Sequence, residues 1–245
     1  LSHSNYINSL KSEGIEPAKI EAISSIDGPL LVIAGPGSGK TKTLVERVVY
    51  LVLSGIEPKS IMVSTFTEKA AKELITRVSN RLLELNLKVN LNEMYIGTLH
   101  SIFLRFLEEY REFTRLKKNY RVLDDFDQKY FVYRNLKPYL EVDNIELLIG
   151  NHKVSAWEKA QSIIYYVSKV REECLDDDVL LKSEHEGIKA IGEISKIYAQ
   201  QLSDDNSLDF STIQSETLYL INNSTEVVEK LSQSIRYIMV DEYQD

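Results

Sequence analysis

The segment LLVIAGPGSGKT, Leu30 to Thr41, leaves this chain few folds to choose from. Leu30 to Ala34 is apolar without alternation, as a strand covered on both faces is expected to be. Gly35, Pro36, Gly37, Ser38 and Gly39 then form a loop, and Thr41 to Leu53 reads as a helix with Leu44, Val48 and Leu51 spaced for burial. Backbone N–H groups can converge on a phosphate only where side chains do not obstruct it, which the glycines ensure. The helix adds its positive N-terminus. Lys40 is expected to reach the β and γ phosphates of a nucleoside triphosphate, and the Thr41 hydroxyl to ligate Mg²⁺. The usual pattern has glycine at its first position, where this chain has Ala34.

A second segment, YIMVDEYQD, supplies what such a loop needs. A short strand delivers Asp241 and Glu242. Asp241 at the strand mouth suits a carboxylate holding Mg²⁺ through water, opposite Thr41. Glu242 is placed to orient and deprotonate an attacking water. An Asp-Glu pair by itself means little; it gains meaning from the loop upstream.

Between the two segments the pattern changes once. Ala18 to Ile26 reads as a helix, followed by the Leu30 to Ala34 strand, a strand over Ile61 to Thr65, a helix over Glu68 to Leu87, a strand over Tyr95 to Gly97 and a helix over His100 to Glu109. Such alternation indicates an α/β unit with a parallel sheet. From about Phe106 to Glu229 the periodicity is mainly helical, with strand signal only at Tyr120 to Leu123. Helices are expected over Asp127 to Lys137, Asn144 to Gly150, Ala156 to Glu173, Glu184 to Leu202 and Phe210 to Asn222. Ile235 to Val240 returns as a strand. The expected fold is therefore α/β, a RecA-like P-loop NTPase sheet with a mainly helical domain inserted before the acidic-pair strand. Residues 1–110 and 233–245 form the first part and 111–232 the insert.

The net charge of −8 argues mildly against nucleic acid, but a local patch decides such binding, not the sum. Two acidic runs, Glu172 to Asp178 and Asp204 to Asp209, read as solvated loops. The single cysteine, Cys174, excludes an intrachain disulfide and favours a reducing compartment. No apolar stretch reaches membrane-spanning length and no signal peptide is visible, so a cytoplasmic setting is expected.

Four separated blocks, in order, resemble the N-terminal part of superfamily 1 DNA helicases of the UvrD/Rep/PcrA type. AGPGSGKT is similar to the family's first motif, STFTEKAAKEL (Ser64 to Leu74) to motif Ia, GTLHS (Gly97 to Ser101) to motif Ib, and VDEYQD (Val240 to Asp245) to motif II. Gln244 and Asp245 extend the acidic pair as most other ATPases do not. The resemblance assigns the α/β part to subdomain 1A and the insert to 1B. It implies DNA-stimulated hydrolysis of Mg-ATP, with translocation on single strands and unwinding of duplexes in the complete protein. Lys40, Asp241, Glu242 and Gln244 would act in catalysis. Ala34 to Thr41 would hold nucleotide, and Thr65, Phe66, Thr67, Thr98 and His100 would face DNA. Hydroxyls can donate to phosphate, and a ring can stack on any base.

The family normally has a glutamine reading the adenine edge where this chain has Lys19. An ammonium only donates, whereas an amide also accepts, so Lys19 is a nucleotide-site residue of altered chemistry. Tyr243 replaces the more frequent phenylalanine. The resemblance further implies that motif III, sensor arginines and a second motor domain follow Asp245 in a longer protein. Single-stranded DNA, DNA junctions and repair or recombination proteins are the expected partners, and no membrane. The alternative is a P-loop NTPase switch or regulatory nucleotide-binding module without unwinding.

Overall fold

The computed structural model describes residues 3–244. The chain divides into two compact units, residues 1–102 with 228–245, and residues 103–227.

The first unit carries α1 (His3–Ser12), α2 (Pro17–Ser24), α3 (Lys40–Leu53), β1 (Ile61–Thr65), α4 (Glu68–Glu84) and β2 (Tyr95–Thr98), with α5 (Leu99–Glu109) leading out of it. The second carries β3 (Arg121–Val122), α6 (Asp125–Arg134), α7 (Lys137–Leu140), α8 (Glu146–Ile149), α9 (Ala156–Glu172), α10 (Asp177–Leu181), α11 (Glu186–Asp204), β4 (Ser207–Leu208) and α12 (Phe210–Asn223). Then α13 (Thr225–Ser234) leads to β5 (Tyr237–Val240) in the first unit. This is a mixed α/β fold with a parallel sheet and a helical insertion.

The main sheet has the order β2-β1-β5, all parallel. Parallel neighbours need crossovers, which α4 supplies between β1 and β2 and the helical unit supplies before β5. The central strand β1 is buried at every position. Val48, Leu51, Ile61, Val63, Leu74 and Val78 form the heart of this core. Each such side chain, fully buried, stabilises the fold by about 1.5–3 kcal/mol. The helical unit has its own core, with Val132, Tyr139, Ile163, Val167, Ile194 and Leu202 at its centre.

Three expectations are corrected. Leu30 to Ala34 is not a strand: it joins no ladder among the described residues, and Leu31 and Ile33 are 73% and 90% exposed. An apolar run becomes a buried strand only if a sheet neighbour takes up its N–H and C=O groups. The edge strand β5 pairs only with β1, and its Ile238 is 63% exposed. Second, the acidic runs are not simply solvated loops. Asp176 caps α10, which contains Asp177 and Asp178, and Asp209 is buried as the N-cap of α12, with a reciprocal capping box to Thr212. The Asp209 carboxylate also accepts from the Gln128 amide at 2.8 Å and from the Tyr198 hydroxyl. Third, the Asn144 to Gly150 helix is only the single turn Glu146–Ile149, and α1 and β4, the strand that pairs with the expected β3, are elements the periodicity did not announce. No helix among the described residues is long and apolar enough to cross a membrane.

Candidate functional site

The loop from Gly35 to Gly39 opens directly into α3. Gly37 and Gly39 sit at φ 73° and 89°, in the left-handed region that side chains disfavour. Gly39 is the N-cap of α3, so the turn that needs glycine is also the turn that starts the helix. Loop closure comes from Ser38 N–H donating to Gly35 C=O at 3.3 Å, and Lys40 Nζ donates to Ala34 C=O at 3.2 Å. The Ser38 hydroxyl is buried without a hydrogen-bond partner among the described residues. A buried hydroxyl left unpaired in a loop of exposed glycines is the kind of polar orphan a ligand oxygen relieves. Lys19 belongs to this neighbourhood. Its Nζ lies 3.8 Å from where a Gly39 Cβ would stand, while pairing with Glu16 at 3.4 Å.

The sheet register gathers the rest of the site at one edge. Ser64 is level with Val240 and Thr65 with Thr98, so the residues after β1, β2 and β5 all emerge from the C-terminal end of the parallel sheet. Ligands of open α/β sheets bind at that end. Asp241 N–H donates to Ser64 C=O at 2.8 Å, extending β5 to the acidic pair. Glu242 follows at φ 54°, a left-handed conformation for a residue with a Cβ. Its N–H donates to the Asp241 carboxylate at 3.1 Å, and the Gln244 amide donates to its carboxylate at 2.6 Å. Gln244 therefore holds the Glu242 side chain. Asp245 lies outside the described residues.

Five residues were expected on the DNA side, and they sort into two groups. Phe66 is 65% exposed and Thr67 is exposed, with the Thr67 hydroxyl accepting from Ala70 N–H at 3.1 Å to cap α4. His100 is half-buried, and burial lowers the pKa of its imidazole from the ordinary histidine value. Thr65 and Thr98 are buried. The Thr98 hydroxyl donates to Glu68 at 2.9 Å and accepts from Ser101 N–H at 3.2 Å. The Thr98 hydroxyl thus ties the first turn of α4, just after Phe66, to the first turn of α5, which carries His100.

Sequence reasoning missed Glu68 as the partner of Thr98. It also missed Glu46 on α3, a buried carboxylate that accepts from Tyr6 and, at 3.1 Å, from Arg81 on α4. That ion pair ties the phosphate-loop helix to the helix after Phe66. The only signal for it was a glutamate on the apolar side of α3.

These features, a phosphate loop, an exposed aromatic after β1 and an acidic pair after β5, are matched as a set. The model of the UvrD/REP helicase N-terminal domain covers residues 15–245. The chain belongs to that family. It is 35% identical over 230 residues to the ATP-dependent DNA helicase SRS2 of Saccharomyces cerevisiae, covering 88% of this chain and 19% of that protein. It is 31% identical over 243 residues to the ATP-dependent DNA helicase PcrA of Bacillus subtilis, covering 98% of this chain and 31% of PcrA. A probable DNA helicase II homolog of Mycoplasma capricolum is 32% identical over 232 residues, 93% of this chain and 30% of the homolog. The chain thus spans between about a fifth and a third of the length of these relatives. The UvrD/REP match starts at Ile15, after α1, and takes in every candidate site residue.

Proposed function

We propose that the chain is the nucleotide-binding and strand-contacting N-terminal region of an ATP-dependent DNA helicase. In this reading the complete protein translocates on single-stranded DNA and unwinds duplexes at the expense of Mg-ATP. The observation that carries it is the register that brings the acidic pair after β5 and the exposed Phe66 after β1 to one sheet edge. A nucleotide switch has no use for a solvent-facing aromatic beside its acidic pair.

The residues suit Mg-ATP. The Gly35 to Gly39 backbone and the Ser38 hydroxyl would cradle phosphate, and Lys40 would exchange the Ala34 carbonyl for a phosphate oxygen. Thr41 and Asp241 offer the hard oxygen donors that Mg²⁺ prefers. The bound ion supplies neutralising charge to the phosphoryl oxygens. Glu242, steadied by Gln244, takes the proton of the attacking water. Lys19 adds a second cation beside the loop. The greater length of the relatives supports a second motor domain in the complete protein, and single-stranded DNA and junctions are its proposed substrates, in a cytoplasmic setting.

Calorimetry with Mg-ATP tests the nucleotide half. Lys40→Ala should weaken binding by about 1.5–3 kcal/mol, the worth of a charge-assisted hydrogen bond. Equal affinity in both proteins would reject the site. In the complete protein, Glu242→Gln should retain nucleotide binding and lose strand displacement.

A further inference from the structure

The helical unit carries an aromatic surface that the nucleotide site does not use. Phe126, Tyr130 and Tyr133 recur at helical spacing on α6, a pattern that ordinarily marks a core face. Here the core face of α6 is formed by Gln128 and Val132, and the three rings point outward, Phe126 being 64% exposed. Phe126 and Tyr130 lie with ring planes 9° apart at 6.3 Å between centroids, and Tyr130 and Tyr133 with planes 20° apart at 6.4 Å. Trp157, in the first turn of α9, packs against both ends of the row, 5.9 Å from Phe126 and 5.7 Å from Tyr133. The Arg134 guanidinium stands 5.7 Å from the Tyr130 centroid. Lys129, beside Tyr130 in sequence, makes no ion pair among the described residues.

We propose that this row is a second contact for single-stranded DNA, on the helical unit, with bases stacking on the rings and the backbone following Lys129 and Arg134. The proposal rests on the reading that the chain handles single strands. Every base has a flat π face, so near-parallel exposed rings accept successive bases without choosing among them. A long exposed apolar row is otherwise a liability for a water-facing helix. Charge orients the strand. Asp124, Asp125 and Asp127 crowd the Phe126 end and repel phosphate, while the cations lie beside Tyr130 and Tyr133. Tyr130 and Tyr133 should therefore matter more than Phe126.

Trp157 is the only tryptophan of the chain, so its emission reports this row alone. Oligodeoxythymidylate is titrated into the chain while Trp157 emission and the anisotropy of a label on the DNA are read together. Emission should change and saturate with the anisotropy. Tyr130→Ala and Tyr133→Ala should each weaken the emission-derived affinity about fivefold or more, Tyr130→Phe should retain it, and Asp125→Asn with Asp127→Asn should tighten it. Unaltered circular dichroism establishes that the alanine variants are folded. If anisotropy shows binding that Phe66→Ala weakens, while Trp157 emission stays constant, the second contact is refuted and the proposed function stands. If neither signal responds to DNA, both readings fail. An emission change with an arginine-rich peptide but not with DNA would overturn the proposal in favour of a protein partner.

Discussion

The Thr98 hydroxyl donates to the Glu68 carboxylate at 2.9 Å, joining the end of β2 to the first turn of α4. The residues after β1 and β2 are therefore held together by a side-chain bond as well as by the sheet. Thr98→Val keeps the shape but leaves the Ser101 N–H without its acceptor and Glu68 without its donor. Urea denaturation should show a loss of about 1–3 kcal/mol, with Thr98→Ser close to the parent. A valine variant as stable as the parent would mean that water replaces the hydroxyl at no cost.

The Glu46–Arg81 pair should behave as a unit. Glu46 is 3% exposed and also accepts from Tyr6, while Arg81 additionally pairs with Glu13 at 3.0 Å and Glu84 at 3.1 Å. Arg81→Met alone strands a buried carboxylate and should cost about 3–5 kcal/mol. Adding Glu46→Gln should cost clearly less than the sum of the two single changes, by at least about 0.5 kcal/mol. Strict additivity in a double-mutant cycle would show that the two groups do not depend on each other.

Much of the site could be read from the residues. The glycine spacing located the loop and the start of α3, and the apolar runs located β1, β2 and β5 to within two residues. Thr67, expected on the DNA side, stands immediately before the helical pattern and caps α4. Leu30 to Ala34 was misread because burial of an apolar run depends on a neighbouring strand that its own residues do not encode. Asp209 was misread because its partners Tyr198 and Gln128 lie 11 and 81 residues away, and nothing local separates a buried capping aspartate from a solvated one. The burial of Thr65 and Thr98 is a third case. Their hydroxyls suit phosphate by type, but both residues end strands whose neighbours cover them.

The buried tyrosines make the fold sensitive to base. Burial raises the phenol of Tyr6, with Glu46 adding to the effect, raises that of Tyr139, and raises that of Tyr198 with Asp209 adding. Each binds its proton more tightly folded than unfolded. The stability it contributes is complete below the unfolded tyrosine value of about 10 and falls as pH rises above it. Tyrosinate absorbance should therefore appear in two stages, exposed rings first and these three only as circular dichroism is lost. Tyr198→Phe should lessen the alkaline slope. Titration of all tyrosines near pH 10 with the fold intact would contradict this.

The exposed Phe66 gives the sharpest test of the strand path. It follows β1 at the sheet edge that also carries the acidic pair, and the Thr67 cap fixes the chain direction just beyond it. A ring so placed would stack on a base for roughly 1–3 kcal/mol and has no donor or acceptor with which to choose one. Phe66→Ala should therefore lower single-stranded DNA affinity by a similar factor for unrelated sequences and leave Mg-ATP binding unchanged. Affinity should also fall with added salt, because phosphate contacts displace counterions. The net charge of −8 works against tight binding by the isolated chain, so the comparison belongs at low ionic strength. Fluorescence anisotropy with several labelled oligonucleotides at two salt concentrations measures all of this. Unchanged binding by the alanine variant would remove Phe66 from the strand path. A strong preference for one sequence would contradict a mechanism built on stacking and backbone contacts.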